Sequence, residues 1–600
     1  MNAIDPSANP LAGPGAASQA PVPVAESLAA AGGVVLPAGG AAQEAADFVA
    51  RIFADVSASE RSDAAPVDAL APHAVDAAPA LPPVPAGWPA EAALPLQGQH
   101  VLVLGLGASG LAMARWCVRC GAQVTVADTR TDPPQLAVLA QELPQVRFIA
   151  GPLGAHLVEG QALAAVYRSP GLSPAAVDAV LIAASASGVR AGGELSLYSM
   201  ALQALRSAHG YAPAVLAVTG TNGKTTVTSL AGQLVAHAGK SVAVAGNIGP
   251  TLLDTLAAHI DAGTLPEVWV LELSSFQLDG LDGVGGFEPT AAVVLNLTQD
   301  HLDWHGSEAA YAAAKARIFG SHALMVLNRE DTAVMTMLPE PVRVKLQKPQ
   351  LRAHLTFGAD MPQRPGDFGI ETVNGMAWLV RAQDADETLK RSKLHAQELH
   401  IQRLMPADAL RIRGRHNATN ALAALALAQA AGCALGGMLY GLREYLGEPH
   451  RVEPIGLLDG IEYFDDSKGT NVGATVAALT GLGAEQRVVV ILGGDGKGQD
   501  FAPLAAPVSR YARAVVLMGR DAPLIRAALA DCGVALLQAD DLPHAVQLSA
   551  QRAQPGDAVL LSPACASFDM FTGYEHRARV FCDAVQALAH EAGQSLEGAP

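Results

Sequence analysis

A lysine preceded by two glycines and followed by two threonines is the strongest sign of chemistry, in residues 217–230, AVTGTNGKTTVTSL. The apolar run 213–218 predicts a buried strand, and a helical pattern resumes at Thr225. In such a loop converging backbone N–H groups and the helix N-terminus bind phosphate, Lys224 reaches the outer phosphates, and the Thr225 hydroxyl can bind magnesium. We therefore predict a phosphate site. An ordinary glycine turn with a surface lysine is the alternative, since Val218 stands where the usual pattern has glycine.

Two further polar residues follow apolar strands downstream of this loop. Glu272 lies at the end of the strand in VWVLELSSFQL, where phosphate-loop folds place an acid that binds magnesium or orients water. A carboxylate in such a run is costly to bury without a cation. His301 follows the next strand, so both side chains should project from the carboxyl edge toward the nucleotide. For His301 alone, a capping or core histidine is the alternative.

A second glycine-rich loop opens the folded part of the chain near residue 97. Gly105, Gly107 and Gly110 have dinucleotide-binding spacing, and Asp128 follows a second strand where a ribose-binding acid would sit. Alone, this motif indicates a nicotinamide-dependent oxidoreductase. It also fits any βαβ unit that brings a phosphorylated ligand to a helix N-terminus, and the loop 169–172 would lie at the same sheet edge.

A third group of donors follows strands in the last quarter of the chain. Lys468 and Thr470 stand at a helix start, Lys497 follows the strand RVVVILGG, and Ser567 follows the last strand. This donor-rich edge is suited to a small carboxylate. Any one of the lysines, taken singly, is better explained as solvated surface.

Strands that alternate with helices predict an α/β chain with mostly parallel sheets, and 600 residues suggest about three or four domains. We predict a disordered Ala/Pro-rich extension (1–96), a Rossmann-like domain (97–203), a central phosphate-loop domain (204–447) and a Rossmann-like C-terminal domain (448–600). Within the central domain, residues 340–408 predict β-rich irregular structure with a solvated charged insertion. Residues 311–319, which contain Lys315, and the alanine-rich run 421–442 each predict a helix, the latter buried rather than membrane-spanning.

The composition excludes several partners. The formal net charge of −18 gives no field that would gather nucleic acid or anionic lipid, so a phosphate site must be local. Six irregularly spaced cysteines fit a reducing compartment, and Cys117 and Cys120 are better explained as core thiols than as a metal or redox pair. The first basic residue is Arg51, so the positive start of a secretory signal is missing. We expect a cytoplasmic protein without stable membrane insertion.

Over residues 97–600 the chain resembles the Mur ligase family of peptidoglycan synthesis. GTNGKTT, LELSSFQL, HNATNALAAL, PHR and DDSKGTN are similar to blocks shared across the family. GLGASG, DTR at 128–130, SPGL, LGGDGKGQDF and SPACASFDMF are similar to the members that add D-glutamate, and no DNPR-type motif of the diamino-acid-adding members is present. The chain departs from the family in its N-terminal extension, its 340–408 segment, Thr225 in place of serine, and Tyr574 near an expected phenylalanine.

The resemblance implies an ATP- and magnesium-dependent ligase that couples D-glutamate to UDP-N-acetylmuramoyl-L-alanine through an acyl phosphate, acting as a cytoplasmic monomer. It implies catalytic roles for Lys224, Glu272, His301 and Lys315. It implies that magnesium is bound by Thr225, Glu272, His301 and a carbamylated Lys315. It implies that ATP is bound by Gly220, Thr221, Asn222, Gly223, Lys224, Thr225, Thr226, Asn420, Arg451 and Asp466. It implies that the UDP-linked substrate is bound by Ser109, Asp128, Thr129, Arg130 and Gly171 at the uridine nucleotide and by Asn247 and His301 at the muramoyl part. It implies that D-glutamate is bound by Lys468, Thr470, Lys497, Ser567 and Phe571 or Tyr574.

Three rival functions remain open from the sequence. A ligase of the folylpolyglutamate type would not require the GLGASG and DTR uridine site. An oxidoreductase leaves Lys224 unexplained, and a non-catalytic nucleotide-binding scaffold is the third alternative.

Overall fold

A computed structural model describes residues 96–281, 286–342, 351–385 and 399–596, without the side chain of Asp303. The predicted disordered extension lies outside the described residues except for Leu96, and so does most of the predicted charged insertion. The described part of the chain contains three parallel or mostly parallel sheets and one small antiparallel sheet.

The first unit is a five-stranded parallel sheet with the strand order β3-β2-β1-β4-β5. Its strands are β1 (His100–Leu104), β2 (Gln123–Asp128), β3 (Arg147–Ala150), β4 (Ala165–Arg168) and β5 (Arg190–Gly192). Its helices are α1 (Ala108–Arg119), α2 (Leu136–Glu142), α3 (Pro174–Ala186) and α4 (Glu194–His209). The glycine-rich loop between β1 and α1 therefore lies at the carboxyl edge, as predicted.

The central unit is a six-stranded parallel sheet with the order β11-β10-β9-β6-β8-β7. Its strands are β6 (Ala214–Thr219), β7 (Val242–Gly246), β8 (Val268–Glu272), β9 (Ala291–Val294), β10 (Leu324–Asn328) and β11 (His354–Phe357). Its helices are α5 (Lys224–His237), α6 (Leu252–Ala262), α7 (Ser275–Asp279), α8 (Leu302–His305), α9 (Glu308–Ala316) and α10 (Thr332–Met335). The middle strands β8 and β9 are buried at every residue, as expected for a parallel sheet covered on both faces.

A three-stranded antiparallel sheet follows, with β12 (Phe368–Val373), β13 (Met376–Asp384) and β14 (Leu399–Pro406). It confirms the β-rich prediction for the described part of 340–408. Two helices come next, α11 (Arg415–Ala430) and α12 (Leu435–Glu444). The prediction of a single helix over 421–442 was wrong, because Gly432 adopts φ 74° and turns the chain between the two helices.

The C-terminal unit is a six-stranded sheet with the order β15-β16-β20-β17-β18-β19, in which only the β15–β16 pair is antiparallel. Its strands are β15 (Glu453–Leu458), β16 (Ile461–Asp465), β17 (Val488–Gly493), β18 (Ala512–Met518), β19 (Ala535–Gln538) and β20 (Ala558–Leu561). Its helices are α13 (Val472–Gly483), α14 (Ala505–Tyr511), α15 (Ala522–Ala528), α16 (Leu542–Arg552) and α17 (Tyr574–Glu591).

The predicted α/β fold class is confirmed, with each parallel sheet inside one predicted domain. The predicted boundary after residue 203 lies within α4, and the chain leaves that helix only at Gly210, which has φ 69°. The helix predicted over 311–319 runs from Glu308 to Ala316 and continues as a 3-10 turn to Phe319.

Cys117 and Cys120 are buried and free, as predicted, and all six cysteines are unpaired. Among the helices that the structure describes, none combines the length and apolar character needed to cross a bilayer.

Candidate active site

The phosphate loop lies between β6 and α5 at the carboxyl edge of the central sheet. Gly223 caps α5 with φ 84°, in the left-handed region that favours glycine. A Cβ on Gly223 would lie 2.9 Å from Oδ1 of Asn420, so glycine also permits the close approach of α11. The amide of Asn222 donates to Asn296 Oδ1 (2.8 Å), which connects the loop to the end of β9. The loop is thus shaped by three elements that are distant in sequence.

Two lysines converge on one carbonyl oxygen of this loop. Lys224 Nζ donates to the carbonyls of Gly220 (3.0 Å) and Thr221 (2.9 Å). Lys315 Nζ, from α9, donates to the same Gly220 carbonyl (2.9 Å) and lies 3.3 Å from Thr219 Oγ1. Burial lowers the pKa of Lys224, and the nearby Glu272 carboxylate opposes that shift. The two predicted catalytic lysines are therefore immediate neighbours.

Lys315 is buried, and no carboxylate of the described residues hydrogen-bonds to its ammonium group. Its side chain is only 2% exposed, and its ammonium group lies 4.7 Å from the centre of the Tyr311 ring. Burial lowers the pKa of Lys315 well below its ordinary value, and the neighbouring Lys224 charge lowers it further. This amine therefore loses its proton more readily than an exposed lysine and can react as a nucleophile.

Glu272, the last residue of β8, presents a buried carboxylate with one unsatisfied oxygen. It is 3% exposed, and Oε1 accepts from Asn247 Nδ2 at 3.1 Å. Oε2 is buried with no hydrogen-bond partner among the described residues. Burying an ionised oxygen without a partner is unfavourable, so this position fits a cation.

His301 stands at the start of α8 with φ 52° and a side chain that is 43% exposed. Its ring packs edge-on against Phe276 of α7 with the centroids 4.7 Å apart, and Nε2 lies 3.6 Å from Asp300 Oδ2. Phe276 also contacts Trp304. The core alternative is therefore wrong, while His301 does occupy the N-cap position of α8, without a side-chain capping hydrogen bond. Aromatic packing holds its ring at the rim of the site.

Of the predicted ATP residues in the later segments, Arg451 and Asn420 approach the loop, whereas Asp466 is bonded within the C-terminal unit. Arg451 Nη2 donates to Thr225 Oγ1 at 2.5 Å, and its buried Nε has no partner among the described residues. Asn420 lies within α11, whose N-cap is Gly414. Asp466 is buried, accepts from Ser562 Oγ at 2.6 Å, and has its pKa raised by burial to about 7. Thr226 is also buried, with its carbonyl 3.4 Å from the Tyr445 hydroxyl.

A cavity of about 480 Å³ opens above the loop, between the central and C-terminal units. Its lining includes predicted residues from both units: Thr221, Asn222, Gly223, Lys224, Thr225, Asn247, Glu272, His301, Arg451, Lys468, Thr470 and Lys497. Its cationic side chains offer local positive charge in an acidic protein, as predicted from the composition. The cavity can therefore hold a polyanion and a smaller carboxylate side by side.

The predicted D-glutamate residues are only partly assembled around this cavity. Lys468 lines it and also lies 5.0 Å from the centre of the Tyr574 ring. Ser567 is buried, and its carbonyl accepts from the amide of Phe571 at 2.8 Å. The Phe571 ring packs edge-on against His576. Of the two aromatic candidates for the D-glutamate site, Tyr574 is therefore the one whose ring contacts a residue of the cavity, Lys468.

Seven cavity residues were not predicted as site residues, and four of them have polar side chains: Gln299, Asp300, Asn471 and Gln499. Asn471 exchanges two side-chain hydrogen bonds with Asn222 of the phosphate loop (3.3 and 3.1 Å) and also caps α13. It thereby joins the two units across the cavity. The available signal was its position in the DDSKGTN block, next to Thr470.

The predicted uridine residues lie apart from this cavity, at the carboxyl edge of the first sheet. Asp128 is 1% exposed and accepts from the Leu106 amide (2.7 Å) and from Arg130 Nε (2.8 Å). The Arg130 guanidinium lowers the pKa of Asp128 to about 2. A Cβ on Gly110 would lie 1.9 Å from the Gly105 carbonyl oxygen, so this glycine serves helix packing. Thr129 and Gly171 are exposed at the same edge, and Ser109 is half-buried in α1.

Known proteins are similar to this chain over nearly its whole described length. The family profiles that match are "Mur ligase MurD-like, N-terminal domain" (residues 99–193), "Mur ligase middle domain" (218–428) and "Mur ligase, glutamate ligase domain" (450–565). The UDP-N-acetylmuramoylalanine--D-glutamate ligase of Albidiferax ferrireducens is 71% identical over 504 residues, 84% of this chain and 99% of that protein. Proteins of the same name from Polaromonas sp. and Ralstonia nicotianae are 60% and 57% identical, over 84% of this chain and 100% and 99% of their own lengths.

Proposed function

The chain belongs to the Mur ligase family, and on that premise we infer that it is an ATP-dependent ligase of peptidoglycan synthesis. It joins D-glutamate to UDP-N-acetylmuramoyl-L-alanine by an amide bond. The curated relatives named for this reaction cover 84% of the chain at 57–71% identity.

The observation that carries this proposal is the cavity shared by two units. Lys224 and Thr225 enter it from the phosphate loop, and Lys468, Thr470 and Lys497 enter it from the C-terminal unit. A terminal phosphate of ATP and the carboxylates of an amino acid can therefore be bound in one space, which coupling requires.

The reaction proceeds in two transfers. An oxygen of the alanyl carboxylate attacks the γ-phosphorus of ATP, the bond to the β,γ-bridging oxygen breaks, and ADP leaves. The amine nitrogen of D-glutamate then attacks the carbonyl carbon of the acyl phosphate, loses a proton and expels inorganic phosphate. Lys224 reduces the repulsion between the two anions in the first step, because its ammonium group lies at the phosphate loop.

The unsatisfied Oε2 of Glu272 fits a bound magnesium ion, which prefers oxygen ligands. We propose that Glu272, Thr225, His301 and a carbamylated Lys315 hold the magnesium. When bound, magnesium supplies positive charge that stabilises the transferring phosphoryl group. For Thr225 this requires the Arg451 guanidinium to turn away from its hydroxyl.

The remaining substrate contacts follow from the placement of the predicted residues. We propose that the amides of the loop residues 220–226, with Asn420, Arg451 and Asp466, bind ATP. Ser109, Asp128, Thr129, Arg130 and Gly171 bind the uridine nucleotide at the first sheet, while Asn247 and His301 bind the muramoyl part. Lys468, Thr470, Lys497, Ser567 and Tyr574 or Phe571 bind D-glutamate.

The purified protein is expected to release phosphate from ATP only when UDP-N-acetylmuramoyl-L-alanine and D-glutamate are both present. Acyl-phosphate formation needs the first substrate and turnover needs the second. A phosphate-release assay with each substrate omitted in turn checks this. Equal turnover with L-glutamate, or with a folate acceptor, would contradict the assignment and favour another amino-acid-adding ligase.

Tyr574 is expected to contribute to D-glutamate affinity through its ring rather than its hydroxyl, because the ring faces Lys468 at 5.0 Å. Tyr574→Ala should raise the KM for D-glutamate by about tenfold, since a cation–π contact contributes about 1–2 kcal/mol. Tyr574→Phe keeps the ring and serves as the matched control, with a KM within about threefold of the parent. A tenfold effect in Tyr574→Phe would instead assign the role to the hydroxyl.

We propose that the enzyme acts in the cytoplasm, where ATP and UDP-linked precursors are supplied. We also propose that it acts as a monomer.

A further inference from the structure

Arg577, near the start of α17, is a fully buried cation that has no role in the reaction described above. Its side chain is 0% exposed, and its guanidinium donates hydrogen bonds to two different loops. Nε donates to Ser467 Oγ (3.0 Å), Nη2 to the Ser467 carbonyl (2.7 Å) and Nη1 to the Cys565 carbonyl (3.1 Å). One side chain therefore holds together two segments that are distant in sequence.

The charge of Arg577 is not neutralised by a bonded carboxylate within the part of the chain that the structure describes. Three acids act on it through charge alone, because each carboxylate is hydrogen-bonded to another residue: Asp465, Asp466 and Asp569. Burial lowers the pKa of Arg577 to about 10, so the guanidinium is still charged at neutral pH. Burying a charge in this way costs free energy of folding, so stability alone does not account for an arginine here.

Both loops that Arg577 holds carry residues proposed for D-glutamate. Ser467 lies between β16 and α13, next to Lys468, and Cys565 lies between β20 and α17, shortly before Ser567. The strands β16 and β20 are parallel neighbours, so their carboxyl ends bring both loops to one edge of the sheet. The planar guanidinium has donors in fixed directions, and it therefore sets the position of one loop relative to the other.

Ser467 extends this network to the aromatic residue of the proposed site. Its hydroxyl accepts from Arg577 Nε and donates to the Tyr574 carbonyl at 2.8 Å. The Tyr574 ring lies 5.0 Å from the ammonium group of Lys468. The bonds of one guanidinium thus reach all three segments that carry these contacts.

We propose that Arg577 is a positioning residue for D-glutamate, which holds Lys468, Ser567 and the Tyr574 ring in the arrangement that binds the amino acid. Its guanidinium is buried and does not line the cavity, so it acts through these residues and not on the substrate itself. The proposal rests on the proposed function in one respect, which is that D-glutamate binds at these loops.

Arg577→Lys keeps the positive charge but replaces the planar fork by a single ammonium group, which cannot bond both loops with the same geometry. We expect the KM for D-glutamate to rise by about tenfold and kcat to stay within about threefold of the parent, because binding of one substrate is weakened. The KM values for ATP and UDP-N-acetylmuramoyl-L-alanine should stay within about twofold. Phosphate release by the full chain, with each substrate varied while the others are saturating, measures these values.

Arg579→Lys is the matched control, because it makes the same substitution at an exposed position of the same helix. Its KM values and its midpoint of thermal unfolding should equal those of the parent. A folded Arg577→Lys protein whose KM for D-glutamate stays within about twofold of the parent would overturn the proposal. Equal increases in the KM values of all the substrates would also overturn it, since they indicate a role in the fold alone.

Ser467→Ala tests the proposal if Arg577→Lys does not fold. This variant removes the hydroxyl that joins Arg577 to the Tyr574 carbonyl, while the bonds from the guanidinium to the two loop carbonyls remain. Its KM for D-glutamate should rise by about fivefold with an unchanged KM for ATP; a parent-like KM for D-glutamate would contradict the role of this network. A parent protein without turnover that depends on D-glutamate would count against the proposed function instead.

Discussion

Replacing Lys224 with alanine is expected to lower the rate of ATP-driven coupling by about 10³-fold, the size of effect seen when one preorganised charge or donor is removed from a transition state. The Lys224 ammonium is held by the Gly220 and Thr221 carbonyls at the mouth of the loop. No other lysine among the residues lining the cavity belongs to the loop. Phosphate release with both substrates present measures the effect.

Lys240→Ala is the matched control for this substitution. Lys240 follows the same helix, and its ammonium lies 3.9 Å from Glu267 on the surface, so its removal should leave turnover within about twofold. Circular dichroism and thermal unfolding should show that both variants are folded. Retained turnover in a folded Lys224→Ala protein would show that the loop does not bind the transferring phosphate.

Replacing Lys315 with alanine is expected to reduce turnover by about 10³-fold and to make the remaining activity responsive to added formate or acetate. Burial and the Lys224 charge both favour the neutral amine of Lys315. A neutral amine nitrogen can attack carbon dioxide and lose a proton, which gives a carbamate. That group carries a negative charge beside Lys224 yet keeps one N–H for the Gly220 carbonyl. A small carboxylate in the space left by alanine can replace the charge.

The lowered pKa of Lys315 also determines how the activity should depend on pH. Acid protonates the amine and removes the carbamate, so activity should fall as the pH is lowered and recover with added bicarbonate. Lys315→Arg is the informative comparison, because it retains a cation that cannot be carbamylated and leaves no space for a carboxylate. Full activity of Lys315→Arg, or no labelled carbamate in the parent protein after incubation with ¹³C-bicarbonate, would contradict the assignment.

For Lys315, the local sequence pattern was sufficient to predict its helix but not its contacts. The sequence placed Lys315 on a helix after a strand, and α9 is that helix. It did not reveal that the Lys315 ammonium shares the Gly220 carbonyl with Lys224, a contact between residues 95 apart in the chain. This contact arises only from the packing of α9 against the phosphate loop, because the burial of a lysine side chain depends on which elements cover it.

The sequence by itself determined the α/β class, the phosphate loop and the residues at the carboxyl ends of strands. Those features depend on local patterns and on the rule that parallel strands present their carboxyl ends at one sheet edge. The turn between α11 and α12 was missed, because an alanine-rich run is compatible with one helix or two.

Only the tertiary structure decided which residues meet across units. The Asn222–Asn471 pair joins positions 249 apart, and Glu194 meets the Leu253 amide across 59 residues. Neither pairing carries a local signal, since asparagine and glutamate are common at helix starts for capping and for the helix dipole. Their partners were set by how the three sheets pack, and periodicity within one element contains no information about that packing.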